Sequence, residues 1–205
     1  MNTMQIAIIG SGNIGGTLGM QWARLGHQIR FGVRDPQSAK AQAALEKAGA
    51  TTTLTTITSA LADADVVLLA LPGAAMQEFA TTYGTQMDGK IVIDASNRFG
   101  QDTINSLAPL RTAAPTALLV RAFNSLGWEN FAEPVVNGVQ VDLFYCAQEA
   151  ARSTMHDLIA GIGLNPVLVG DIDQVALVDN LGALWVRLAF GAGMGRRITL
   201  KLIGR

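Results

Sequence analysis

Cysteine and histidine are nearly missing: Cys146, His27 and His156 are the only residues of those two types in 205 positions. One thiol can close no intrachain disulfide, and one cysteine with two distant histidines cannot build a zinc cage, so no metal site is expected. Cys146 lies in an apolar run, Val141 to Ala147, and reads as a buried, inert thiol rather than a nucleophile. Charge is scarce too, at 15% of residues with a formal net charge of -1 and no basic run or acidic tail. That balance excludes nucleic acid as the main partner. No stretch reaches the roughly 18 to 20 uninterrupted apolar residues a bilayer span needs. Met1-Asn2-Thr3-Met4 lacks the basic start and long apolar stretch of a signal peptide, so a cytoplasmic location is expected. There is no internal repeat and no low-complexity linker.

What is plentiful is apolar surface, 49% of residues. It suits a parallel sheet covered on both faces, with an apolar subunit interface besides. The length allows one standard domain plus a small appendage.

The organising stretch is near the start. The apolar run Gln5 to Ile9 ends on Gly10-Ser11-Gly12-Asn13-Ile14-Gly15, after which Ile14, Leu18, Trp22 and Leu25 recur at spacings of four and three. This is strand, turn and helix, with Gly26 ending the helix. In such a unit Gly10 permits the tight turn, Gly12 lets the backbone approach a pyrophosphate, and Gly15 lets the helix lie close on the strand. The anion meets unpaired N–H groups and the positive end of the helix dipole. A dinucleotide site follows.

The end of the second apolar run, Gln28 to Val33, bears on which dinucleotide. An acidic residue about twenty positions on would accept from the ribose hydroxyls of NAD, whereas an arginine accommodates a 2′-phosphate. Here Val33 cannot accept, Arg34 offers a fork of donors, and Asp35-Pro36 reads as a turn entering the next helix. NADP is expected, with Lys40 either adding charge to the phosphate or simply solvated. His27 reads as a turn residue away from the cofactor.

Further along, an Ala-rich helix is expected over Ser38 to Ala48 and a strand over Thr51 to Thr55. A brief helix over Ser59 to Asp63 precedes the central apolar strand from Val66, broken by Pro72-Gly73. A helix over 74–82 and strands over Lys90 to Asp94 and Ala117 to Phe123 follow. Four strand tips, after residues 9, 71, 94 and 123, carry small polar or Gly/Pro residues and should line one crevice on the side where open α/β sheets bind ligands. Leu71, Pro72 and Asn97 are thereby candidates to touch the cofactor. In the tail, strands are expected over Val141 to Cys146 and Pro166 to Val169, and helices over Glu149 to Ile162 and Val175 to Leu188. The last is apolar around much of its circumference and should be buried, under the sheet or against a second subunit. The fold expected is α/β: a Rossmann, doubly wound, mostly parallel sheet with a small C-terminal α/β appendage. The division falls within Glu133 to Gly138, giving parts 1–135 and 136–205.

The glycine turn, together with Gly32-Val33-Arg34, Ala70-Leu71-Pro72, the segment Ala122 to Phe131 and the closing Gly193-Met194-Gly195, resembles the NADPH-dependent coenzyme F420 oxidoreductase family over nearly the whole chain. The resemblance implies a Rossmann domain holding NADP and a small C-terminal part completing a pocket for a second redox molecule. It implies a homodimer that passes hydride between NADPH and a deazaflavin. A relative, the cytoplasmic domain of the mammalian metalloreductases, works with a flavin. Ser11 and Arg34 match residues that hold the 2′-phosphate, with Val33 in place of a serine in the archaeal pattern. Asn124 stands where the archaeal enzymes have a histidine beside the deazaflavin ring. The resemblance thus makes Asn124, Ser125 and Leu126 the candidate acceptor-binding residues, and F420 or a flavin the candidate second substrate.

Hydride transfer between two cofactors needs the nicotinamide C4 and the acceptor atom about 3 to 3.5 Å apart. It does not need a positioned acid. An alcohol or keto-acid dehydrogenase usually needs a His, Lys or Tyr for the hydroxyl proton. His27, His156, Lys90 and Lys201 fall in a turn, a surface helix, a strand start and the chain end. No catalytic acid or base is therefore assigned. Three alternatives stay open: a small dehydrogenase or imine reductase on the same nucleotide domain, a non-catalytic NADP-binding protein, and a metalloreductase-like activity with bound flavin.

Overall fold

The protein is described by a computed structural model for residues 2–38, 42 and 52–204. β1 (Gln5–Ile9) is apolar from its second residue on and buried from there, as a central parallel strand must be. α1 (Asn13–Arg24) buries Leu18 and Trp22 on the sheet. β2 (Gln28–Val33) pairs parallel with β1 in the register Gln5↔Gln28 to Ile9↔Gly32. The expected helix from Ser38 to Ala48 falls largely outside the described residues. β3 (Thr52–Thr56) leads directly into α2 (Ile57–Ala62). That helix starts two residues earlier than the sequence suggests because the Thr56 side chain caps the Ser59 N–H at 3.3 Å, the usual use of threonine at this position.

β4 (Val66–Leu69), α3 (Met76–Tyr83), β5 (Ile91–Asp94), α4 (Leu107–Ala113) and β6 (Leu118–Arg121) continue the alternation. After a four-residue helix, α5 (Glu129–Ala132), comes a short antiparallel hairpin of β7 (Val135–Val136) and β8 (Val139–Gln140). Its turn is Asn137-Gly138, both at positive φ (50° and 79°), the conformation this pair favours. The hairpin occupies the expected division at Glu133 to Gly138. β9 (Asp142–Ala147), α6 (Arg152–Gly161), β10 (Asn165–Gly170) and α7 (Val175–Val186) complete the fold.

Among the described residues eight strands make one sheet in the order β10-β9-β6-β5-β4-β1-β2-β3. The chain winds outward one way from β1 through β3 and the other way from β4 through β6. The switch point therefore lies between β1 and β4, where α/β sheets bind ligands. β9 joins β6 antiparallel, and β10 joins β9 parallel. The strands of the C-terminal part thus continue the same sheet.

Each face of the sheet carries its own core. On one, Trp22 meets the edge of Phe123 at a centroid distance of 5.8 Å, and its Nε1 donates to the Leu158 carbonyl at 3.1 Å. On the other, Ile57, Phe79 and Leu110 cover the strands. Cys146 is fully buried, and burial pushes its thiol up to about 11, in line with an inert role. His27 sits at the amino end of β2, away from the strand tips. It is buried, and its Nδ1 accepts from the Met4 N–H at 3.3 Å.

α7 is only half covered. Val178, Asp179, Gly182 and Trp185 face inward, while Leu177 and Leu184 are exposed. After a widened turn at Arg187–Gly191, residues 192–204 run as a strap without regular structure. The Trp185 Nε1 donates to the Ile198 carbonyl at 3.0 Å, and Asp142 takes both Lys201 and the Leu202 N–H. Among the described residues no helix is long and apolar enough to cross a membrane.

Candidate functional site

A crevice of about 870 Å3 opens over the tips of β1, β2 and β4. The glycine turn forms its floor. Gly10 adopts φ +107°, and a Cβ there would lie 2.4 Å from the Ala70 carbonyl oxygen. A Cβ at Gly15 would lie 1.9 Å from the Gly10 carbonyl oxygen, so only glycine lets α1 start this close to the strand. A Cβ at Gly12 would point into open space on the crevice side.

Gly12 is also the cap of α1. No side chain caps this terminus and no acidic residue stands in its first turn, so its N–H groups face the crevice with the positive end of the helix dipole. This is an anion-binding arrangement. Ser11, Asn13 and Ile14 line the same end, whereas Gly15 is buried beneath it.

At the tip of β2, Val33 and Arg34 line the crevice, and Arg34 is exposed with no hydrogen-bonding partner among the described residues. Asp35 is engaged elsewhere. Its carboxylate accepts from the Gln37 N–H at 2.9 Å and its carbonyl from the Ser38 hydroxyl at 2.8 Å, which makes it a turn residue as expected. Lys40 lies outside the described residues. The donors present fit a phosphorylated dinucleotide, with the pyrophosphate over Gly12 and the 2′-phosphate toward Arg34. Leu71 and Pro72 wall the crevice at the tip of β4.

Past β4 the arrangement departs from the expected line of strand tips. Asn97 donates to the Asn124 carbonyl at 3.0 Å and accepts from Arg121 at 2.8 Å. Asn124, Ser125 and Leu126 are buried behind it. None of the four lines the crevice. Asn97 and Asn124 belong to a buried polar cluster centred on Arg121, which contacts Asp179 and Asp94 at 2.8 and 3.3 Å, while Leu126 packs in the apolar core. Asp94 in turn accepts from Ser96 and the Ser106 N–H, and Asp179 from Asn105 at 2.7 Å. The cluster ties the tips of β5 and β6 to α7. Phe123, between them, is held at φ 60°, a conformation side chains other than glycine rarely adopt.

The crevice wall at this end is made by Trp128 and by Arg196 from the C-terminal strap. Arg196 Nε and Nη2 donate to the two oxygens of Glu129, at 2.5 and 3.1 Å, and the guanidinium lies 5.9 Å from the Trp185 ring centroid and 5.6 Å from that of Phe190. Burial works against ionisation of Glu129, yet the Arg196 hydrogen bonds, a local backbone bond and the nearby Arg196 and Arg197 charges hold its carboxyl below the usual range. Sequence reading did not find this wall. Its signal, Arg196-Arg197 directly after the Gly191 to Gly195 cluster, reads in sequence either as a plain C-terminal turn or as a second phosphate site.

Comparison with known proteins agrees with this geometry. Residues 5–98 match a family described as NADP oxidoreductase, coenzyme F420-dependent. A structure from Arthrobacter sp. FB24, provisionally described as an F420-dependent NADP reductase, is 23% identical and covers 98% of this chain and 100% of its own, with a TM-score of 0.83. A hypothetical protein from Sinorhizobium meliloti is 27% identical over 100% of this chain and 97% of its own, at a TM-score of 0.70. A reductive aminase from Aspergillus terreus in complex with NADPH and ethyl-5-oxohexanoate shares the fold at 18% identity and a TM-score of 0.67, over 94% of this chain and 64% of its own. The glycine turn, the arginine at the tip of β2 and the wall at β4 thus lie within the segment, residues 5–98, that matches this family.

Proposed function

We propose that the protein is an NADP(H)-dependent oxidoreductase that passes hydride between NADPH and a flavin-type acceptor, a deazaflavin such as F420 or a flavin. NADPH, when bound, supplies the hydride. Gly12 and the start of α1 hold its pyrophosphate, Arg34 holds the 2′-phosphate, and Leu71 and Pro72 wall the path toward β5 and β6.

The observation that carries this reading is the composition of the crevice. Its titratable side chains, among the described residues, are Arg34, Asp35, Glu78, Tyr83 and Arg196. Asp35 is tied into its turn, and Glu78 and Tyr83 stand on α3. At the Trp128 end the titratable lining group is the Arg196 guanidinium, which does not give up its proton, and the Glu129 behind it is held as its carboxylate counter-ion. A hydroxyl substrate would need an acid or base there, whereas hydride exchange with a flavin-type ring needs chiefly alignment.

The exposed Leu177 and Leu184 on α7 fit the homodimer that the sequence resemblance implies, and an NADPH-consuming reaction fits a cytoplasmic setting. Light scattering on the purified protein tests the first. The activity test is NADPH oxidation followed spectrophotometrically with F420, FMN, FAD and quinones. Turnover with a deazaflavin or flavin is expected. Reduction confined to hydroxy or keto acids would overturn the proposal.

A further inference from the structure

The dinucleotide carries two anionic centres, and the crevice offers each a partner of its own: the uncapped start of α1 and the guanidinium of Arg34. A third cationic group remains. Arg196, on the C-terminal strap, lines the same crevice beside Trp128, which follows β6 in the chain. Four strand spacings, roughly 19 Å, separate β6 from β2 and Arg34 in the sheet order.

Arg196 is held stiffly for a side chain that is 40% exposed. Nε and Nη2 are paired with Glu129, and the plane lies against Trp185 and Phe190. The Asn130 side chain and the Trp185 indole fix the strap on either side by donating to the Arg196 and Ile198 carbonyls. Nη1 alone has no hydrogen-bonding partner among the described residues. A guanidinium with one edge anchored and one edge open is prepared to bind an oxyanion.

We infer that Arg196 determines specificity for the second substrate by recognising an anionic group on the acceptor, with Glu129 as its resting counter-ion. This rests on the proposed reading that a redox acceptor enters the crevice beside the nicotinamide. Trp128 gives the same corner a flat indole next to the charge. The acceptor class this selects is a planar ring bearing a phosphate or carboxylate, and neutral rings of the same size are disfavoured.

FMN and riboflavin differ by one phosphate and test the point directly. Each is titrated into the full-length protein saturated with NADP+, with binding read from flavin fluorescence. The protein is expected to bind FMN about tenfold more tightly than riboflavin, the scale of one charge-assisted hydrogen bond. Arg196→Gln should bring the ratio close to one without changing riboflavin affinity. Glu129→Gln, which frees the guanidinium, should widen it. A merely structural role for the ion pair would move both variants the same way. Should Arg196→Gln fail to fold, the Glu129→Gln titration decides, together with loss of the FMN preference of the unsubstituted protein as salt is raised.

Equal affinity for the two flavins, no binding of either, or a preference that survives Arg196→Gln would overturn the inference. An Arg196-dependent preference without NADPH oxidation by F420, FMN or FAD would instead overturn the proposed hydride transfer and leave the anion site standing.

Discussion

Arg121 on β6 and Asp179 on α7, 58 residues apart in sequence, are joined by two contacts of 2.8 Å from Nε and Nη2 to the same carboxylate oxygen. Both side chains are buried, and Arg121 also reaches the Asp94 and Ser96 carbonyls and the Asn97 amide. The pair thus anchors the last helix to the strand tips beside the crevice. Removing Asp179 leaves Arg121 with Asp94 alone at 3.3 Å and strips the buried Asn105 amide and the Arg121 Nε–H of their acceptor, and each buried polar group left unsatisfied costs about 1 to 3 kcal/mol. Asp179→Ala should therefore lower the urea midpoint by a large fraction of the total stability. Gln77→Ala, at an exposed position of α3, should change it little. Equal midpoints for the two variants would show that the ion pair contributes no more than a surface contact.

The same cluster explains what could and could not be seen in the sequence. The parallel core strands and the glycine turn announce themselves locally, through runs such as Val66 to Leu69 and the spacing of Gly10, Gly12 and Gly15. Arg121 and Asp179 carry no such signal, because nothing near either one points to a partner 58 residues away. Asn97 and Asn124 looked like crevice residues for the same reason: each follows a strand end, where ligands bind, but both are consumed by the cluster and by each other. Arg196 was hidden differently, since the strap that carries it has no periodicity to read. The hairpin at Asn137-Gly138 was legible, as Asn-Gly between valines is a strong turn signal.

Arg34 is exposed at the tip of β2 with no hydrogen-bonding partner among the described residues, and the Val33 side chain beside it offers no acceptor to ribose hydroxyls. Its expected contribution is selective for the 2′-phosphate, and a hydrogen bond to a charged group contributes about 1.5 to 3 kcal/mol. Arg34→Ala should weaken NADPH binding by roughly tenfold to a hundredfold or slightly more and leave NADH binding nearly unchanged. Titrations of both nucleotides by fluorescence check this. An unaltered ratio would mean that the phosphate is held elsewhere.

Gly15 is enclosed, and any Cβ there would overlap the Gly10 carbonyl oxygen. Backbone cannot yield as a flexible side chain does, so Gly15→Ala must push α1 off the strand. Loss of nucleotide binding is expected together with a lowered thermal midpoint. At Gly12, where a Cβ meets no protein atom within 4 Å, alanine should leave the midpoint of the free protein within a few degrees and still impair dinucleotide binding. The contrast separates the glycine that packs from the glycine that makes room for ligand. Parallel losses of stability in both variants would refute that division.

His27 supplies a pH dependence with a definite sign. Burial lowers its pKa from the ordinary 6.5, so the unfolded chain takes up a proton that the folded protein resists. Stability is therefore fully present above about pH 6.5 and is lost as pH falls from there through the folded value. His156 is exposed and lies on another element, α6. His27→Gln keeps an oxygen that can accept from the Met4 N–H, but it has nothing to titrate. Urea midpoints measured between pH 7.5 and pH 5 should decline more steeply for the unsubstituted protein than for the glutamine variant. Identical slopes would show that His27 is protonated as readily in the folded chain as in the unfolded one.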